Sequence, residues 1–265
     1  MVLSDQSFRA VADFFHHQSG IRLGPDKRAL VQGRLQKLAH ESGQDDLDGY
    51  VRWVLSGSAP SEQTRVIDRL TTNETFFFRE PAHFHLLGKL SSAYRGSGPF
   101  RVWSGASSSG EEAYSIAMVL QDRLGLTKGW EIVGTDLSTA MVQTARQGLY
   151  PVERADDIPE YYLSKYCLRG RDRHEGQMLM ARNLRDRTRF LGANLLEPLP
   201  DIGQFDVIFL RNVLIYFDVP TKCDIVRRVL GQLKPDGYLF SGHSESLSNM
   251  GLPLKTVQAA VYQHG

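Results

Sequence analysis

The chain has 265 residues and a net charge of +1, so it has no overall field to attract a polyanion, and any basic surface for nucleic acid would have to be local. Hydrophobic content of 42% and charged content of 23% are those of an ordinary globular protein, long enough for one large α/β domain and a smaller companion. The two cysteines, Cys167 and Cys223, are far apart and show no metal-like spacing; the expectation is reduced structural thiols in a cytoplasmic protein. Residues 1–6 show no basic-then-apolar leader pattern, and no apolar run approaches a membrane span.

The first 90 residues read as helical. Phe8, Val11, Ala12 and Phe15 recur at helical spacing before breaks at Gly20 and Gly24-Pro25. A second helix is expected over 26–40, with Leu30, Val31, Leu35 and Leu38 facing inward. Its other face carries Lys27, Arg28, Arg34 and Lys37 with no acid after Asp26. Such a face is either a plain solvated surface or a docking surface for an acidic helical partner. Further helices are expected over 47–55 and 62–70, completing a small bundle. Residues 70–81 then place Thr71, Thr72 and Asn73 before three consecutive aromatics, Phe76 to Phe78, followed by Arg79 and a helix-opening Glu80-Pro81. Three adjacent Phe cannot all face one core, and an Arg among them calls for an anionic partner. His83 and His85 read as ordinary helix residues, with no metal site expected.

Residues 100–115 pass from an apolar strand through Gly105, Ala106, Ser107, Ser108, Ser109 and Gly110 into a helix opening with Glu111-Glu112. Strand, small-residue turn and helix form the first crossover of a doubly wound sheet. The glycine spacing is not that of a dinucleotide fingerprint, and no Lys-Ser/Thr follows Gly110, so a phosphate loop is excluded. Two carboxylates at the positive end of a helix would repel a pyrophosphate. They suit a ligand bearing positive charge and hydroxyls, such as S-adenosylmethionine. A second strand over 130–136 ends on Asp136, the usual place for an acid that binds ribose hydroxyls, and Ser138 caps the next helix, which ends near Gly148.

From 151 to about 187 the alternation lapses, and an inserted β element is expected. Strands over 188–192, 206–210 and 238–240, a helix over 218–233, a turn over 234–237 and an edge strand over 259–262 restore the pattern. Asn194-Leu195 and Arg211 to Phe217 fall just past strand ends, where α/β ligands bind. The (Asp/Asn)-Pro-Pro-(Tyr/Phe) tetrad of nucleic-acid amino-methyltransferases is absent there.

Together, the segments LTTNETFFFRE (70–80), RVWSGASSSGEEAYS (101–115), Gly134-Thr135-Asp136, His174-Glu175-Gly176, FDVIFLRNVLIYFD (205–218) and GYLFSGHSESL (237–247) resemble the bacterial chemotaxis receptor methyltransferases, the CheR family of protein-glutamate O-methyltransferases. The resemblance spans nearly the whole chain. It implies an all-α bundle preceding a class I S-adenosylmethionine-dependent methyltransferase domain, a doubly wound α/β sheet with a small inserted β-subdomain. The corresponding ranges are 1–75 for the bundle, 76–90 for a linker, 91–265 for the methyltransferase domain and about 160–187 for the insert. The implied cofactor contacts are Asn73, Thr75, Arg79, Gly105, Glu111, Asp136, Asn194, Leu195, Arg211 and Asn212, with Tyr216 near the transferred methyl and S-adenosylhomocysteine as product. Arg79 and Tyr216 are the expected catalytic pair, acting on receptor glutamates. Lys27, Arg28, Arg34 and Lys37 match the receptor-docking helix. A receptor C-terminal tether peptide is a further possible partner, left open because Arg171-Asp172-Arg173 replaces a glycine-containing turn. A monomer that inserts in no membrane and binds no nucleic acid is expected. A methyltransferase on another acceptor and a non-catalytic cofactor-binding adaptor are the competing readings.

Overall fold

The computed structural model describes residues 1–125, 128–248 and 250–265. Four helices open the chain: α1 (Asp5–Ser19), α2 (Arg28–Glu41), α3 (Leu47–Leu55) and α4 (Pro60–Leu70). Ser4 caps α1 by accepting from the Ser7 N–H, and Gly20 ends it in the left-handed region at φ 73°. Asp46 caps α3 in the same way. The second helix starts two residues later than expected, because Pro25–Lys27 wind into a 3-10 turn. Phe8, Phe15, Val31, Leu35, Tyr50 and Val66 fill the bundle core. Within it the Tyr50 hydroxyl donates to Glu62 at 2.9 Å, so the one buried acid there is satisfied.

Helix α5 (Pro81–Ala93) leads into the sheet domain, which runs β1 (Phe100–Gly105), α6 (Glu111–Leu124), β2 (Trp130–Asp136), α7 (Thr139–Gln147), β3 (Leu149–Pro151), α8 (Glu160–Tyr166), β4 (Cys167–Arg169), β5 (Gln177–Met180), α9 (Arg182–Arg185), β6 (Thr188–Gly192), β7 (Phe205–Leu210), α10 (Val219–Leu230), β8 (Leu233–Ser241), β9 (Leu254–Gln258) and β10 (Val261–His264). The main sheet is ordered β6-β2-β1-β7-β8-β10-β9. Its first five strands are parallel, and β10 returns antiparallel to β8. Strand order therefore reverses between β1 and β7, opening a crevice at their carboxyl ends. The buried strands β1 and β7 read as near-continuous apolar runs, as parallel strands covered on both faces must.

Three expectations change. Residues 76–90 are no linker: Phe77, Phe78, Phe84 and Leu87 are buried in the sheet-domain core, and the Phe78 N–H donates to Ser115 on α6. All three Phe had seemed unable to share a core, and Phe76 alone turns to the crevice, where Arg79 lies over its ring. The inserted sheet, ordered β3-β5-β4, begins at Leu149 rather than near 160, because the first of its strands follows directly on α7. At the carboxyl end, Lys234 to Gly237 bulge within β8 between the Leu233 and Tyr238 pairings, and β9 adds an edge strand that the alternation did not reveal.

The bundle is bolted to the sheet domain. The Asp68 carboxylate accepts from both the backbone and the hydroxyl of Thr139 at 2.8 Å, and Asn194 donates its side-chain amide to the Gln18 carbonyl at 2.9 Å.

Candidate active site

A single crevice gathers residues from four places: the end of α1 (Ser19, Ile21), residues 71–79, the carboxyl ends of β1 and β2, and the segments following β6 and β7. Of the expected cofactor contacts, Asn73, Thr75, Arg79, Asp136, Asn194, Leu195, Arg211 and Asn212 all line it, as does Tyr216.

The β1 side is shaped by backbone. Ala106, Ser108 and Gly110 have φ of 56°, 48° and 97°, a run of left-handed residues that turns the chain sharply into α6. Gly110 admits no side chain, since a Cβ there would sit 2.9 Å from that of Ala145. The Ser108 N–H donates to Asp136 Oδ2 at 2.7 Å, and the Ser138 N–H to Asp136 Oδ1 at 2.8 Å. Burial pushes the Asp136 carboxyl up to about 6 despite these bonds. Each carboxylate oxygen keeps a lone pair for a further donor. The Ser107 hydroxyl is buried in the wall with no partner among the described residues.

The Glu111-Glu112 pair divides. Glu111 does not line the crevice; it is 1% exposed, accepts from the Ser109 hydroxyl at 2.6 Å and pairs with Arg154 at 3.4 Å. Glu112, a helical step of about 100° away, is the one that faces inward. Gly105 also lies behind the wall, packed against Leu210 at the end of β7. Ala106, Ser107 and Ser108 line the crevice in its place. Arg154, from the 3-10 turn after β3, also donates to the Thr75 carbonyl at 2.8 Å and so steadies the crevice-lining segment.

The β7 side is held by charge. Arg211 is buried and bridges Glu80 at 3.0 Å and Glu112 at 3.1 Å, and it donates to the Arg79 carbonyl at 2.5 Å. Burial raises the Glu112 carboxyl, whereas Arg211 and the His243 N–H outweigh burial at Glu80 and hold it below its ordinary value. His83, read as an ordinary helix residue, is buried against this network with its imidazole lowered to about 4, by burial and then by Arg211. It is neutral at physiological pH. Glu80, His83 and His243 have the mutual spacing of cation ligands, and the Arg211 guanidinium stands 3.0 Å from the Glu80 carboxylate. The carboxylate at the i−3 position of His83 was the overlooked sequence signal.

Arg79 crosses the Phe76 ring at 5.4 Å and donates to the Glu74 carbonyl at 3.4 Å. The expected anionic partner is missing: among the described residues no carboxylate lies within ion-pair distance of it. Tyr216 lines the same crevice, half-buried, and burial with Glu74 raises its phenol, which therefore keeps its proton.

The expected basic face of α2 is mostly spoken for, and Leu30, expected to face inward, is exposed instead. Arg28 pairs with Asp5 and donates to the Leu3 carbonyl. Arg34 donates to the carbonyls of Leu70 and Thr71 at the end of α4, at 2.9 and 3.1 Å. Lys27 lies in the 3-10 turn, 3.3 Å from Asp26. Lys37 borders a groove between α2, α4 and α7 that Arg65 and Arg69 share.

A parallel sheet with one antiparallel return, an acid at the end of β2 and a crevice at the strand-order reversal define a class I methyltransferase. The residues present fit S-adenosylmethionine, with Asp136 for ribose hydroxyls, the unpartnered Ser107 hydroxyl and the inward Glu112 for a cationic, hydroxyl-rich ligand. The model of the CheR methyltransferase SAM-binding domain matches residues 73–263, and that of the CheR all-alpha domain matches residues 6–71. The chain belongs to the CheR methyltransferase family and uses S-adenosylmethionine as its cofactor. It is 40% identical over 252 residues to the chemotaxis protein methyltransferase of Salmonella typhimurium, covering 94% of this chain and 87% of that protein. It is 41% identical over the same shares to the Escherichia coli protein of that name, and 36% identical over 97% of this chain and 92% of the relative to chemotaxis protein methyltransferase 2 of Pseudomonas aeruginosa. Among the described residues no helix is long and apolar enough to cross a membrane.

Proposed function

We propose that the protein transfers the methyl of S-adenosylmethionine to glutamate side-chain carboxylates on the cytoplasmic helices of chemotaxis receptors, leaving methyl esters and S-adenosylhomocysteine. The observation that carries this reading is Arg79. It lines the crevice with no carboxylate paired to it among the described residues, and shares that crevice with a protonated tyrosine, Tyr216. An acceptor carboxylate would supply the missing anion, with the Tyr216 hydroxyl donating to its second oxygen.

When bound, the sulfonium supplies a methyl group that a carboxylate accepts with no proton to remove. A glutamate is already ionised at neutral pH, so the chain needs to position it rather than to act as a base. Arg79 and Tyr216 hold the carboxylate, and Phe76 and Phe217 shield the crevice from water. Asp136, Ser107 and Ser108 hold the cofactor from the β1 side; Leu195, Arg211 and Asn212 hold it from the other.

Receptor docking is assigned to the bundle, through Lys27, Lys37 and the exposed Leu30 of α2, with Arg28 and Arg34 keeping the helix in place. A receptor C-terminal peptide would add along the outer edge of β4, which pairs with β5 on one side only. The protein is taken to act as a cytoplasmic monomer recruited to receptor arrays.

The test uses methyl-labelled S-adenosylmethionine and a cytoplasmic receptor fragment, followed by mild base. Label released as methanol supports a carboxyl ester. Label that stays on the receptor places the methyl on nitrogen or another base-stable group and overturns the reading.

A further inference from the structure

The segment after β7 carries both Asn212 and Tyr216, yet it has almost no secondary structure of its own. Asn212 is left-handed at φ 58°, and only a single 3-10 turn, Leu214–Tyr216, follows. The backbone N–H groups of such a segment need acceptors. One side chain outside the expected site supplies them. Glu245, 6% exposed in the loop after β8, accepts from the Asn212 N–H at 2.5 Å and the Gly242 N–H at 2.9 Å through Oε2, and from the Ile215 N–H at 3.1 Å through Oε1.

The surrounding chain is built for this. A Cβ on Gly242 would lie 2.6 Å from Glu245 Oε2 and 2.8 Å from Asn212 Nδ2, so only glycine lets the three converge. The buried Ser241 hydroxyl donates to the Glu245 carbonyl at 2.9 Å and fixes the loop from its other side. The two carboxylate oxygens divide the work. Oε2 sets the residue facing the cofactor, and Oε1 sets the turn that delivers Tyr216 to the acceptor.

We infer that Glu245 is a positioning residue for methyl transfer: its carboxylate holds the cofactor-facing Asn212 and the acceptor-facing Tyr216 in fixed relation. This rests on the reaction proposed above. A glutamine at 245 separates the two arms. Its one carbonyl oxygen can replace the doubly accepting Oε2, but its amide N–H2 would then face the Ile215 N–H, donor against donor.

The experiment compares wild type, Glu245→Gln and Glu245→Ala by S-adenosylhomocysteine titration, by kcat and KM on a receptor fragment, and by thermal midpoint. For Glu245→Gln, kcat falls about tenfold or more while the Kd for S-adenosylhomocysteine moves less than about threefold. For Glu245→Ala the Kd also weakens, by about tenfold or more. An unchanged kcat in Glu245→Gln overturns the inference. So does a loss of kcat and cofactor affinity in equal proportion with a fallen midpoint, which is what a merely structural residue gives. The affinity arm needs no acceptor: an unchanged Kd in Glu245→Ala overturns the inference even if wild type transfers no methyl. Failure of wild type to transfer methyl, with its cofactor binding intact, counts against the proposed reaction alone.

Discussion

The two walls of the crevice are held by different physics. On the β1 side, left-handed backbone at Ala106, Ser108 and Gly110 creates the shape, and hydrogen bonds from Ser108 and Ser138 to Asp136 lock it. On the β7 side, side chains do the same work: Arg211 between Glu80 and Glu112, and the Glu245 carboxylate accepting from the Asn212 N–H. The first wall depends on small residues and local geometry. The second depends on side chains brought from positions 80, 112 and 245, so its failures should be larger and more cooperative.

Breaking the charged wall has the largest expected effect. Arg211→Ala strands Glu80 and Glu112 without their shared cation, and should lower unfolding stability by about 3–5 kcal/mol in urea denaturation. Replacing the set together (Arg211→Met with Glu80→Gln and Glu112→Gln) should recover most of that stability without recovering cofactor binding. If the single change costs under about 1 kcal/mol, the charged wall is not what holds the segment.

Arg79 sits at the seam and carries no structural ion pair. Arg79→Ala should therefore reduce methyl transfer by about 100-fold or more while the thermal midpoint stays within about 2 °C of wild type. Fully retained activity, or an unfolded variant, would contradict its assignment.

The backbone-built wall should show itself in pH dependence. Burial pushes the Asp136 carboxyl up to about 6, and ribose hydroxyls bind better to its ionised form. Affinity for S-adenosylhomocysteine should be flat above that value and fall by about tenfold per unit below it. The sign for stability is opposite: the raised pKa means that the ionised group costs the free fold, so its protonation on acidification relieves that cost. Asp136→Asn should weaken binding at neutral pH and remove this acid limb in a titration series.

The smallest effect lies in the turn itself. Ala106 holds φ at 56° with a Cβ, so Ala106→Gly should stabilise by about 0.5–1 kcal/mol in chemical denaturation, leaving the charged wall untouched.

The same contrast governs how much could be read from the sequence. The β1 wall was legible because its chemistry is local: a run of Gly, Ala and Ser between strand and helix, and an acid at the next strand end, announce themselves in one dimension. Even there the helical register decides which of two adjacent glutamates lines the crevice, and Glu112 rather than Glu111 does so. The β7 wall was legible only at Arg211, Asn212 and Tyr216. Glu80, His83 and Glu245 join it through the fold, across separations of 131, 128 and 33 residues measured to Arg211 or Asn212, and no periodicity encodes that. The basic helix shows the same limit: two of its four cations, Arg28 and Arg34, meet Asp5 and the carbonyls ending α4, which lie outside the helix. That residues 76–90 belong to the sheet-domain core rather than to a linker shows only when α5 is seen packed on α6, with the Phe78 N–H on Ser115.

The central claim is that both walls close on one cofactor. Calorimetric titration of the pure protein with S-adenosylhomocysteine tests it most directly, using wild type, Asp136→Asn for the β1 side and Asn212→Ala for the β7 side. The account predicts one molecule bound per chain, and each substitution weakening it by about tenfold or more. Absence of binding in wild type, or binding that neither substitution disturbs, would contradict it.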